Sequence, residues 1–232
     1  MSDPLMTWER RAFSARLFSG IEEVDRLIDS QRRFACMLSD EDIFYSRTDL
    51  RMFIDRCRND ARRELLSLYC EIHGLATESA QDLVLHAAAE LRVSPYNTNQ
   101  LIRDYGNLIN HSHRGSLPLH LAAGAVGTDH IFRLNHFLTA YPKAVKQFDA
   151  NGILPMQIAL LSNAEYDVME LLVNSYPPVL TLPFFPRTDA VSEDIESLVG
   201  MQPFHIACCR NYSLDVIFKM LLEGPDCLDR RA

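Results

Sequence analysis

This 232-residue sequence reads as an all-α fold: a solenoid of about four helix–turn–helix repeats behind an N-terminal helical segment. Three observations carry that reading. First, a short phrase recurs, clearest as Leu117-Pro118-Leu119-His120-Leu121-Ala122, again as Leu154-Pro155-Met156-Gln157-Ile158-Ala159 and Gln202-Pro203-Phe204-His205-Ile206-Ala207, with a degenerate copy at Leu83-Val84-Leu85-His86-Ala87-Ala88. Second, Gly115, Gly152 and Gly200 each stand five residues before the His or Gln position of their copy. Third, a second apolar helical pattern follows each of these three copies and ends at a proline. Self-similarity at a period of roughly 30 to 40 residues marks stacked supersecondary units. Stacked units present surface more often than a pocket.

The first 77 residues carry no copy of the phrase and are rich in both charge signs. Ser19 and Glu22 have capping-box spacing, opening a helix through Val24, Leu27 and Ile28. A second start at Ser46–Asp49 leads into Leu50, Phe53, Ile54, Cys57, Ala61, Leu68 and Ile72, a long amphipathic stripe with Arg51, Arg56, Arg58, Arg62 and Arg63 largely off it. We read residues 1–77 as a helical cap on the exposed apolar end of the stack, because solenoids need a polar outer face at each terminus. A partner-binding segment is the alternative.

Residues 78–232 form the array. The steps between the His or Gln positions are 34, 37 and 48 residues. A glycine held before each of the last three copies predicts a tight turn with positive φ. The proline three residues later suits a first helical turn, where a missing N–H costs nothing. The second helices carry Ile131, Leu134, Phe137 and Leu138, then Val168, Leu171 and Leu172, then Val216, Met220 and Leu221. They run into Tyr141-Pro142, Tyr176-Pro177 and Gly224-Pro225, where proline ends the helix.

At these residues the chain resembles the ankyrin repeat family, whose signature is Thr-Pro-Leu-His-x-Ala; Leu replaces Thr in the two best copies. Asp149-Ala150-Asn151-Gly152-Ile153-Leu154-Pro155 is similar to that family's turn and helix start. The first copy has Gln81 and Val84 in place of the Gly and Pro, and Gln157 replaces His, so the family's loop-bracing residue is only partly preserved. The resemblance implies recognition of a protein partner by the turn tips and the inner face of the shorter helices. Carried onto this chain, the tips are His113, Arg114 and Ser116; Ala150, Asn151 and Ile153; and Leu198, Val199 and Met201. Arg114 is the strongest single candidate, because an exposed guanidinium pairs bidentately with a carboxylate.

Composition agrees. An apolar content of 47% is enough for a substantial core. A net charge of −8 argues against nonspecific nucleic-acid binding and against anchoring to an anionic membrane. No apolar run approaches the roughly 18 residues of a membrane span. Met1-Ser2-Asp3-Pro4 lacks the basic and apolar regions of a signal peptide. The six cysteines, Cys36, Cys57, Cys70, Cys208, Cys209 and Cys227, have no disulfide-framework spacing, and read as buried thiols of a cytoplasmic or nuclear protein.

Three places invite a sharper reading. His205, Cys208 and Cys209 share a helical face and form the alternative, a thiol-dependent enzyme. An orienting acid, an oxyanion hole and a fourth metal ligand are all unassigned there, so we expect no catalytic residue, no metal and no cofactor. Pro178, Pro183, Pro186 and the acidic stretch from Asp189 to Glu196 mark a loop insertion near residues 178–199 that breaks any helix, with Phe184 and Phe185 expected to tuck back onto the stack. Finally, Leu214, Val216, Ile217, Met220, Leu221 and Leu222 make the last helix too apolar for an outer cap. That favours a homo-oligomer, or docking through an uncapped C-terminal repeat. The expected function is a protein–protein interaction module or scaffold without catalysis.

Overall fold

The computed structural model describes residues 59–76, 80–127, 129–187 and 193–225. The helix starts expected at Ser19 and Ser46, most of the apolar stripe after the latter, and Cys36, Cys57 and Cys227 lie outside the described residues. Among the described residues every regular element is a helix, and one isolated antiparallel bridge joins His113 to Ser116. None of these helices is long and apolar enough to cross a membrane.

Helix α1 covers residues 59–73. Then come α2 (Val84–Glu90), α3 (Pro95–Tyr105), α4 (Pro118–Gly124), α5 (His130–Ala140), α6 (Pro155–Leu161), α7 (Tyr166–Ser175), α8 (Glu193–Glu196), α9 (Pro203–Cys209) and α10 (Leu214–Glu223). The short helices α2, α4, α6 and α9 pack side by side in that order, and the longer α3, α5, α7 and α10 do the same. Each short helix also packs on the longer helix that follows it. One core runs through both rows, from Leu65 and Tyr69 of α1 through Leu85, Leu119, Phe137, Leu160 and Leu172 to Val216 and Met220. Full burial of such side chains contributes roughly 1.5–3 kcal/mol each.

The sequence dictates these elements residue by residue. Pro118, Pro155 and Pro203 open α4, α6 and α9 at the position where proline needs no N–H partner. Helix α2, which lacks that proline, is entered through a 3₁₀ turn over Gln81–Leu83. Three short helices end identically. Arg92, Asn163 and Asn211 take left-handed φ of 57°, 54° and 55°. The next N–H reaches back to the helix, Val93 to the Ala88 carbonyl at 3.1 Å, Ala164 to Ala159 at 3.0 Å and Tyr212 to Ala207 at 3.0 Å. This is a Schellman closure, with the last orphan carbonyls satisfied. Helix α4 lacks it. Its connector carries Gly127 at φ 154° and Asp129 at φ 57°, and the latter stands at the N-cap position of α5 without a capping bond from its side chain.

Helices α5, α7 and α10 end as their prolines require. Tyr141, Tyr176 and Gly224 share an extended φ near the strand region, at −142°, −151° and −141°, each directly before proline. After the first two the chain makes matching 3₁₀ turns, Pro142–Lys146 and Pro177–Thr181. Pro178 therefore belongs to a repeated turn and not to the insertion, which effectively begins at Leu182. The insertion is also not free of helix, since Glu193–Glu196 forms one turn within it.

Candidate interaction surface

The turns before α4, α6 and α9 lie along one edge, and each is built around its glycine. Gly115, Gly152 and Gly200 have φ of 79°, 76° and 82°. In the first tip, His113 and Ser116 exchange two backbone hydrogen bonds of 2.9 Å around Arg114 and Gly115. Both central residues have positive φ, so this is a type I′ turn. Gly115 is needed for space as well as for conformation: a Cβ there would lie 2.8 and 2.9 Å from Ala150 backbone atoms of the next tip. In the second tip, Gly152 donates to the Asp149 carbonyl at 3.0 Å, and the Asp149 carboxylate accepts from the Ile153 N–H at 2.8 Å.

Side chains of the short helices brace these turns. His120 Nδ1 accepts from the Leu117 N–H at 3.1 Å, and its Nε2 donates to the Gln147 carbonyl of the next turn at 2.8 Å. Gln157 repeats both bonds with an amide: Oε1 accepts from the Leu154 N–H at 3.1 Å, and Nε2 donates to the Leu182 carbonyl at 3.3 Å. The residue changes at this position, but the pair of bonds does not. His86 Nε2 reaches the Ser116 carbonyl at 3.1 Å, while its buried Nδ1 has no hydrogen-bond partner among the described residues. Burial, and secondarily the imidazoles of His111, His113 and His120, push the His86 pKa down to about 4 against the bond to Ser116. Burial also lowers His120.

The insertion lies across the second and third tips. Phe184 exchanges backbone bonds of 2.8 Å with Met201 and Gly200, and the Arg187 N–H donates to the Asn151 carbonyl at 2.7 Å. This pairing sends Phe184 inward, fully buried, and leaves Phe185 59% exposed. Only one of the two phenylalanines tucks as expected. Leu198 is also buried, so the third tip presents Val199, with Met201 half-buried. Arg114, Ala150 and Asn151 are exposed, and His113, Ser116 and Ile153 half-buried. The exposed Phe148, directly before the Asp149 turn, was not singled out from sequence. It has no special spacing, and only its exposure marks it.

No protein-family model matches this chain, and no curated protein matches it.

The thiol candidates fall elsewhere. Cys208 and Cys209 are exposed, not buried as expected, whereas Cys70 of α1 is buried. Helix α9 is the last short helix described, and among the described residues no further helix covers the face on which larger residues of α6 are buried. Partial desolvation, then the adjacent Cys209, hold the Cys208 thiol above its ordinary range, opposite to what a thiolate nucleophile needs. His205 is half-buried against Phe204 at 5.4 Å between ring centroids, and its Nδ1 has no hydrogen-bond partner among the described residues. His86, His111 and His113 do cluster, with centroids 5.9 and 6.0 Å from the first ring. Among the described residues, no group of three or more His, Cys, Asp or Glu is arranged to hold a metal ion.

Proposed function

We propose that this chain is an ankyrin-type solenoid that recognises a protein partner through its tip edge and performs no chemistry of its own. The observation that carries the reading is the insertion folded over the second and third tips, buried at Phe184 and exposed at Phe185. Exposed apolar side chains, Phe148, Phe185 and Val199, stand on that edge with exposed Arg114 and Arg187. Aromatic and Arg side chains dominate binding energy where partners meet, and a short backbone-anchored loop presents Phe185 at little entropic cost. His113, Ser116, Ala150, Asn151 and Ile153 complete the surface, and Met201 borders it. The two guanidinium groups favour an acidic partner segment.

The repeat reading rests on the two rows of helices, the three positive-φ glycines and the His or Gln braces between successive turns. It is supported by the equivalence of Gln157 and His120, since one structural task recurs at one repeat position. Against thiol chemistry at His205, Cys208 and Cys209 stands the raised pKa of the Cys208 thiol.

The test is affinity capture from lysate with wild type and with an Arg114→Glu/Phe185→Asp/Val199→Asp variant. We expect a captured protein to be lost with the variant while helicity and melting stay unchanged. Equal capture by both forms overturns the assignment of the tip edge.

A further inference from the structure

The first copy of the repeat phrase lacks its proline, and the consequence is a bare nitrogen in the core. His120 and Gln157 each accept a hydrogen bond from the N–H three residues before them, at Leu117 and Leu154. Before His86 the chain enters α2 through a 3₁₀ turn, which sends the Leu83 N–H to the Ala80 carbonyl at 2.9 Å instead. His86 is fully buried, and its Nε2 proton is committed to the Ser116 carbonyl. Its Nδ1 lone pair is left without a hydrogen-bond partner among the described residues. The rings of His111 and His113 stand nearly perpendicular to it, and His113 Nε2 is a second buried nitrogen without a partner there.

We propose that neutral His86 is a latch on the first tip, and that a proton taken up by this imidazole in mild acid lifts the turn His113–Ser116 from α2. Its side-chain hydrogen bond and both of its ring contacts go to residues 111–116, so solvent reaches the ring when that segment lifts. A proton on the closed site has no counter-charge. The groups acting on His86 through space are His111, His113 and His120, and none is a carboxylate. Glu90 of α2 is held by His73 of α1 at 3.0 Å, and Tyr69 of α1 packs on His73 with centroids 4.5 Å apart. Arg114 adds like charge beside His113. Asp82 of the 3₁₀ turn and Arg103 and Asp104 of α3 are exposed. Once lifted, His86 is hydrated and takes a proton at its ordinary value. The closed value lies below the open one, so the latch holds above about pH 6.5 and weakens as pH falls from there. The turn ahead of the third tip is braced by Gln157, which does not titrate. Arg114 stands on the latched turn, so acid also weakens recognition at the tip edge, a consequence that rests on the proposed function while the latch itself does not.

Amide hydrogen exchange of the free full chain tests the latch, read as protection factors so that the pH dependence of exchange itself cancels. Between about pH 7.5 and pH 5.5, protection of the Ser116 N–H, which donates to the His113 carbonyl, is expected to fall about tenfold. The Gly200 N–H of the third tip, which donates to the Phe184 carbonyl, is expected to keep its protection. His86→Gln retains an amide N–H for the Ser116 carbonyl, as Gln157 does for Leu182, and should abolish the fall. Should that variant not fold, the Cε1–H resonance of His86 in wild type reads the same site, and its titration midpoint is expected well below 6.5. A midpoint near 6.5 overturns the proposal. So does unchanged protection at Ser116, an equal fall at Ser116 and Gly200, or a fall that survives in His86→Gln.

Discussion

At the scale of the residue, an amide can replace an imidazole where one atom accepts from the backbone and another donates across a gap. Gln157 does so between the Leu154 N–H and the Leu182 carbonyl. Gln157→Ala strands the buried Leu154 N–H and the part-buried Leu182 carbonyl, and we expect a loss of about 1–3 kcal/mol in denaturant unfolding. Gln157→His should lose little; an equal loss would show that packing, not bonding, holds the site. His120 and His86 differ from Gln157 in being titratable. His86 drops from 6.5 to about 4 on folding, and burial lowers His120 and His130 as well. A folded pKa below the unfolded one means that the unfolded chain binds the extra proton. Stability is therefore fully present above pH 6.5 and is lost as pH falls from there towards 4, by about 3 kcal/mol for His86 alone. The unfolding midpoint should drop between pH 7 and pH 5, and His86→Gln should shrink that drop. A flat profile in wild type contradicts this account.

At the scale of the element, the signals that could be read in the sequence were residues with a unique backbone property. Proline at a helix start, glycine in a tight turn and proline after a helix each exclude most alternatives, so the paired helices and the tips were legible. The Schellman closures were not. Arg92 stands where Asn163 and Asn211 stand later, and an Arg with positive φ is not a signal one looks for. Nor could spacing say which of Phe184 and Phe185 points inward, because the backbone pairing of Phe184 with Met201 and Gly200 decides it. The same pairing turns Val199 outward while Leu198 is buried. The closures make their own prediction. Asn163 holds φ 54°, which glycine adopts freely and a β-branched residue resists. Asn163→Gly should change stability by only a few tenths of a kcal/mol, whereas Asn163→Val should cost about 1–2 kcal/mol. Equal melting of the two variants would mean that the left-handed turn carries no strain.

At the scale of the whole molecule, successive helix pairs touch mainly their neighbours, so stability is expected to be graded along the array and not shared equally. The last pair, α9 and α10, has a neighbour on one side only among the described residues. Three polar ties hold it there. The Tyr212 hydroxyl donates towards the Ala159 and Leu160 carbonyls at 3.2 and 2.9 Å. Arg210 donates to the Leu161 carbonyl at 2.8 Å, and Lys219 pairs with Glu170. Burial pushes the Tyr212 pKa up to about 12, so the hydroxyl stays a donor at any working pH. Tyr212→Phe removes that donor and leaves the ring in place, a change of about 1–1.5 kcal/mol. In a graded array the change falls on one end. Amide exchange measured on dilute protein should then quicken by roughly tenfold in α9 and α10, and stay near its wild-type rate in α4 and α5. If exchange quickens equally in every helix, the chain opens as one cooperative body, and the terminal pair is no weaker than the middle.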